Sequence, residues 1–237
     1  MGVHEFLTLI LSRRLMFRQF RDLERSDKQE GMIPDEFWES WERARHQERP
    51  DGGLGKSRKE ADARLFMLRC TQYISCWNAA EGENALMWMS YAPKGVAIKT
   101  TVGRLSEAGY ENKEQFGMIN CERVEYADDW HDLEDRGFEH GGVVQNRLFL
   151  NRKRKLFSAE NEVRLRIQPR PTCQNDADIE RRPPGFPELW PTWFPVVFEN
   201  LEWVDEVVAD SSIAAWSIAT FSELIASSGL RLRLSGR

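Results

Sequence analysis

The stretch Glu160-Asn161-Glu162-Val163-Arg164-Leu165-Arg166-Ile167 decides how the fold is read. Val163, Leu165 and Ile167 alternate with charged residues, and a period of two belongs to a β-strand with one side toward a core. Residues two apart on a strand project from the same side ~7 Å apart, so Glu160, Glu162, Arg164 and Arg166 are expected to form a charged row opposite the apolar one. Such a row is either a solvent-facing surface whose charges pair along and across the sheet, or the wall of a site. The nearby run Arg152-Lys153-Arg154-Lys155 points to a site, because carboxylates beside cations suit a phosphate-bearing sugar or nucleotide.

Upstream, Tyr73 to Trp77 reads as a strand, Asn84 to Ala92 as a short helix stopped by Pro93 and Gly95, and Val96 to Thr100 as a second strand. Val124 to Tyr126 reads as a third strand, and Gly142 to Phe157 as a helix with Val144, Leu148 and Phe149 inward. The opening predicts a helix on Phe6, Leu7, Ile10, Leu11 and Arg14, then a short strand Leu15-Met16-Phe17. Ile33 to Trp41 predicts a helix started by Pro34 with Phe37, Trp38 and Trp41 on one side, and Arg49 to Ser57 a flexible connection.

Downstream, Pro169 to Pro195 is rich in proline and charge and predicts an irregular surface insertion. Pro195 to Phe198 and Trp203 to Val208 read as strands. Ser212 to Ser228 reads as a closing helix capped by Gly229, with Ile213, Trp216, Phe221, Leu224 and Ile225 inward. Helices and strands interspersed without a regular βαβ order predict an α+β fold, a single mixed or antiparallel sheet with helices on its faces. The expectation is one domain over residues 1–237, with a body at 5–168, the insertion at 169–195, and strands and a helix at 196–237.

With 41% hydrophobic and 30% charged residues, the chain falls outside the disordered, collagen-like and coiled-coil classes. Its 33 basic and 38 acidic residues give a net charge of -5, which disfavours binding polyanions over a whole surface and leaves room for a local basic patch. The apolar stretch Phe6 to Leu11 is far short of the ~20 residues that cross a bilayer, and Arg13 and Arg14 follow it in the reverse of a secretory signal's charge order. Cys70, Cys76, Cys121 and Cys173 lack paired CxxC spacing and read as reduced thiols of a cytoplasmic protein.

Gly52 to Ser57 (GGLGKS) imitates the end of a phosphate-binding loop, but Pro50 stands where the first glycine is needed and no hydrophobic strand precedes it. His4, His46, His131 and His140 are too scattered to define a metal site. Trp88 and Tyr91, three apart on the short helix, share a side and offer either a platform for a planar ring or core packing, with Trp77 nearby in sequence. Cys76 has no histidine close in sequence and reads as a small buried thiol.

Five stretches in order carry a family likeness. They are Leu9 to Gly31 (LILSRRLMFRQFRDLERSDKQEG) with Asp27 and the Glu30-Gly31 pair, YISCWN at Tyr73 to Asn78, ALMWMSYAPKGVAIKT at Ala85 to Thr100, VEY at Val124 to Tyr126, and KLFSAENEVRLRI at Lys155 to Ile167. Together with the closing Leu232-Arg233-Leu234-Ser235, they resemble the bacterial domain-of-unknown-function family 2971.

The Glu160-x-Glu162 pair is also similar to the paired glutamates that close ADP-ribosyltransferase sites. That resemblance implies an enzyme acting on a nucleotide or nucleic acid, with NAD as its substrate. Glu162 would stabilise an oxocarbenium-like transition state and Glu160 would orient the acceptor. Trp88 and Tyr91 would stack nicotinamide or base, and Arg164 or Lys155 would meet phosphate. A second expectation is a metal-dependent nuclease in which Asp27, Glu30, Glu160 and Glu162 converge on magnesium. A third, from a different class, is a protein-interaction module of a toxin or defence system, its anchors supplied by Trp190 to Phe194 and by Trp38 and Trp41.

Overall fold

A computed structural model describes residues 1–25, 30–32, 35, 38–39, 58–112, 114, 116–128, 138–139, 143–144, 149–169 and 191–236. In chain order the elements that build the body are α1 (Val3–Ser12), β1 (Arg14–Gln19), α2 (Arg58–Thr71), β2 (Tyr73–Asn78), α3 (Ala85–Tyr91), β3 (Val96–Lys99), α4 (Val102–Glu111) and β4 (Phe116–Arg123). There follow β5 (Glu125–Tyr126), β6 (Phe138–Glu139), β7 (Val143–Val144), β8 (Arg152–Lys153), β9 (Glu162–Pro169), β10 (Trp193–Val197), β11 (Glu206–Ala209), α5 (Ala215–Ser227) and β12 (Leu232–Leu234). The class is α+β, and its main sheet is antiparallel with five strands in the order β10-β1-β2-β9-β4.

Alternation places one face of this sheet against the core. Leu15, Phe17, Tyr73, Leu165, Ile167 and Val196 are buried there with Phe6, Leu9 and Ile10 of α1. Helix α1 presents that apolar trio at three- and four-residue intervals and ends at Arg13, whose left-handed φ of 54° turns the chain into β1. On the other side of the core β3 pairs with β11, and β11 with β12, as a separate three-stranded sheet. Helix α5 packs onto this region through Ile213 just before it and through Phe221 and Ile225, while Gly229 leaves it with a φ of +72°.

Several expectations need correction. Residues 151–157 are not the end of a helix: Arg152–Lys153 pairs in parallel with Glu125–Tyr126, and a 3-10 helix spans Lys155–Glu160. Strand β9 is buried on both faces rather than one, because the segments carrying Glu30, Leu150 and Lys153 cover its charged side. Trp216 stands 76% exposed instead of facing inward. Helices α2 and α4 and the strand β4 appear where no regular element was expected, and the strands expected at Pro195 to Phe198 and Trp203 to Val208 run instead over Trp193–Val197 and Glu206–Ala209. The 49–57 connection, Trp41, Trp190 and residues 170–190 of the insertion lie outside the described residues, as do His46, His131, His140 and Cys173.

Gly31 docks the Glu30 segment. Its φ is +69°, and an added Cβ would lie 2.5 Å from Cε1 of Phe20. Gly31→Ala therefore meets strain and a clash together and is expected to cost about 1–3 kcal/mol in urea unfolding. A change below a few tenths of a kcal/mol would show that this segment is not docked as described.

Candidate active site

The charged face of the main sheet carries Asn78 and Cys76 on β2, opposite Glu162 and Arg164 on β9. Glu162 opens β9 directly after Asn161, which adopts a left-handed φ of 39° and exchanges two hydrogen bonds with Ala79: its carbonyl accepts from Ala79 N and its amide donates to Ala79 O, both at 2.8 Å. This turn sets Glu160 at the end of the 3-10 helix rather than on the strand, with its carbonyl accepting from Asn78 Nδ2 at 2.5 Å. The two carboxylates nevertheless meet. Lys153 Nζ lies 2.6 Å from Glu160 Oε2 and 2.8 Å from Glu162 Oε2, so a shared ammonium joins them where simple strand pleating would not.

Behind this trio lies a deeper layer. Arg164 is 0% exposed, and its Nε donates to Glu162 Oε1 at 2.7 Å, its Nη1 to the Leu150 carbonyl at 2.5 Å and its Nη2 to Glu30. Its guanidinium also lies over the Phe20 ring, 5.4 Å from the centroid. Glu30 reaches within 3.8 Å of Lys153 as well. Tyr126 Oη accepts from the Glu162 backbone N–H at 2.8 Å, and Arg166 Nη2 lies 3.4 Å from Glu122. At the outer edge Tyr91, 56% exposed, donates from its hydroxyl to Glu160 Oε1 at 2.6 Å. Lys153 and Arg154 both lie against the Phe157 ring.

The groups divide by environment. Burial raises the Glu162 carboxyl, but Arg164 and Lys153 outweigh it and hold the group down at about 2, so Glu162 is a fixed anion. Burial dominates at Glu30 and raises its carboxyl despite Arg164 and Lys153. Lys153, opposed by burial, is pushed up by Glu30 and Glu162 and stays an ammonium. Burial, then the hydrogen bond to Glu160, raises the Tyr91 hydroxyl, which keeps its proton and remains a donor. A pinned anion, a captive ammonium, a phenolic donor and the more accessible carboxylate of Glu160 are together equipped to bind hydroxyls and to stabilise positive charge.

Of the residues expected from sequence, Glu30, Tyr91, Glu160, Glu162 and Arg164 come together, and Asp27 lies outside the described residues. Arg164 is wholly buried among carboxylates, so it organises them and does not meet a phosphate. Trp88 points away from Tyr91 into a small core with Ala92 and Val208, its indole N–H donating to Glu83 at 3.2 Å, so the two do not form one stacking platform. Trp77 packs edge-on against Trp203 in the main core. Lys155 is exposed and its backbone N–H donates to Asp128 at 2.9 Å; Lys153 takes the place expected of it.

Sequence reasoning missed Lys153, Tyr126 and Cys76. Lys153 was visible as a member of the basic run, since a buried carboxylate pair needs a cation. Tyr126 and Cys76 sit within stretches of family likeness but carry no spacing signal of their own. Comparison of the chain with family models, with curated proteins and with solved structures finds no match.

Proposed function

We propose that the protein is a cytoplasmic nucleotide- or nucleic-acid-directed enzyme that breaks the bond between a sugar's anomeric carbon and nitrogen, in the manner of an ADP-ribosyltransferase or glycohydrolase, with NAD as substrate. The observation that carries this reading is convergence. All five stretches behind the likeness to family 2971 contribute to one place: Glu30; Cys76 and Asn78; Tyr91; Tyr126; and Glu160, Glu162 and Arg164. Segments scattered over more than half a chain rarely gather a polar cluster without a use for it.

The roles differ from those expected on sequence. Glu162 has 4% of its surface exposed and both carboxylate oxygens engaged, so it is a positioning residue that holds Lys153 and Arg164. Glu160, at the accessible end and oriented by Tyr91 and Lys153, is the catalytic carboxylate. As the C–N bond of the substrate breaks, its electron pair leaves with the nicotinamide, and the positive charge left on the sugar faces an acidic site. The acceptor's oxygen bonds to the anomeric carbon and its proton passes to Glu160.

Incubation with NAD labelled in the nicotinamide is expected to release free nicotinamide, and Glu160→Gln to slow release by roughly 10²–10³-fold. No release by the parent protein, or equal release by Glu160→Gln, would end this reading.

The metal-dependent nuclease finds less support. Among the described residues no group of histidine, cysteine and acidic side chains is arranged to hold a metal ion, and the Lys153 ammonium already lies between Glu160 and Glu162. Protein binding is the second reading: Trp193 is 44% exposed on the edge strand β10, with Arg18 lying 5.7 Å from its ring, whereas Trp38 is buried and cannot act as an anchor. Among the described residues no helix is long and apolar enough to cross a membrane.

A further inference from the structure

A cavity of about 460 Å³ lies between the start of α1, the turn from α3 into β3 and the first two turns of α5. Val3, Ile213 and Phe221 give it apolar walls, and Ile213 and Phe221 are buried members of the main core. Trp216, which α5 leaves 76% exposed, lines the same cavity and does not stand on open surface. None of the residues gathered round Glu160 lines it, so this place is separate from the site described above. Its size, its apolar walls and its few polar groups are those of a small-molecule site.

One buried carboxylate fixes two of the walls to each other. Asp210, 3% exposed, accepts from the Lys94 N–H through Oδ2 at 3.2 Å and from the Ser212 N–H through Oδ1 at 3.0 Å. Its own N–H donates to the Gly95 carbonyl and its carbonyl accepts from the Ile213 N–H, each at 3.0 Å. Lys94 takes a left-handed φ of 55° in this clasp, so the turn after α3 and the lead into α5 are set before any ligand arrives.

Lys94 is the one charged residue that lines the cavity, and it makes no ion pair among the described residues. The charges on the surrounding elements are otherwise engaged or distant. Glu5 folds its carboxylate back over Gly2, the Met1 ammonium donates to the Val96 carbonyl at 2.8 Å, and both oxygens of Asp210 accept from backbone N–H groups. His4 does not line the cavity, and Glu223 follows Trp216 by two turns of α5, ~10 Å along the axis, where exposed charges are largely screened. We propose that the cavity binds a small molecule with a planar apolar body and a single negative group, an aromatic carboxylate. Trp216 stacks on its ring, Lys94 meets its carboxylate, and the hydroxyls of Ser212 and Ser217 lie beside it. The proposal is independent of NAD as a substrate.

Isothermal titration of the full chain with β-naphthoate and with β-naphthamide, which share a ring body and differ in charge, tests both the site and the class of ligand. The parent is expected to bind β-naphthoate at one site. Ser217→Leu, which fills the cavity, should weaken this at least ~10-fold, and Trp216→Ala at least ~3-fold. β-Naphthamide should bind the parent ~3–10-fold less tightly, and Lys94→Asn, whose side chain tolerates the left-handed backbone, should erase that difference. Trp216 and Lys94 are both exposed, so their variants decide the case should Ser217→Leu not fold. No binding of β-naphthoate, or equal binding by a folded Ser217→Leu or by Trp216→Ala, overturns the site. Equal binding of the two probes by the parent, or a difference that survives Lys94→Asn, overturns the anionic class.

Discussion

Arg164→Met is expected to destabilise the protein by about 3–5 kcal/mol at neutral pH, a large share of the roughly 5–15 kcal/mol that keeps a domain folded. The guanidinium binds Glu162, Glu30 and the Leu150 carbonyl from a position with no solvent contact. Removing it leaves two buried carboxylates and a carbonyl with Lys153 as their remaining close cation among the described residues, and the hydrogen bonds of three buried acceptors are lost. Lysine is no remedy, because one point charge cannot serve partners held in three directions by a planar fork. The double variant Arg164→Met with Glu162→Gln should recover part of the loss, since it removes one of the two charges left bare. Urea unfolding of the four proteins in the cycle measures the coupling between the two sites. A single variant within 1 kcal/mol of the parent would mean that the cluster does not organise the sheet.

The same residues show how far the sequence could be read. The parity of β9 was legible: Leu165 and Ile167 do lie in the core, Val163 is buried on the same side of the strand opposite Trp77, and Glu162, Arg164 and Arg166 face the other way. What covers the second face was not, since period-two alternation states which side a residue takes and nothing about what lies on it. The cover comes from Glu30 and from Leu150 to Lys153, and no short-range pattern ties those segments to β9. Asn161 hid the next feature. It breaks the strand one residue before Glu162, so the two carboxylates were expected together for the wrong reason, and Lys153 went unseen as their link.

Helical spacing misled in two ways. Trp88 and Tyr91, about 60° apart around α3, straddle the boundary between a small core and the site, so neighbours on one side still part company. Trp216 lies five residues before Phe221, about 140° round α5, and the face buried through Phe221 and Ile225 leaves it outside.

Acid is expected to unfold the parent along a limb set largely by Glu162. Its folded value of about 2 lies below its ordinary 4.5, so the folded state binds fewer protons there. That stabilisation, roughly 3 kcal/mol, is complete above about pH 5 and disappears as pH falls through 4.5 toward 2. Glu30 works in the opposite sense: its folded value is raised, the folded state holds that proton more tightly, and its contribution is present below 4.5 and lost as pH climbs through the raised value. Two carboxylates on one arginine thus pull the stability curve down at both ends, which places its maximum on the weakly acidic side. Urea midpoints measured between pH 2 and 9 separate them. Glu162→Gln should be weaker than the parent by the full amount at neutral pH and should converge with it near pH 2, whereas Glu30→Gln should lose ground to the parent in acid and regain it in alkali. If Glu162→Gln keeps the parent's acid limb unchanged, the carboxylate is not the pinned anion on which Lys153 and Glu160 depend.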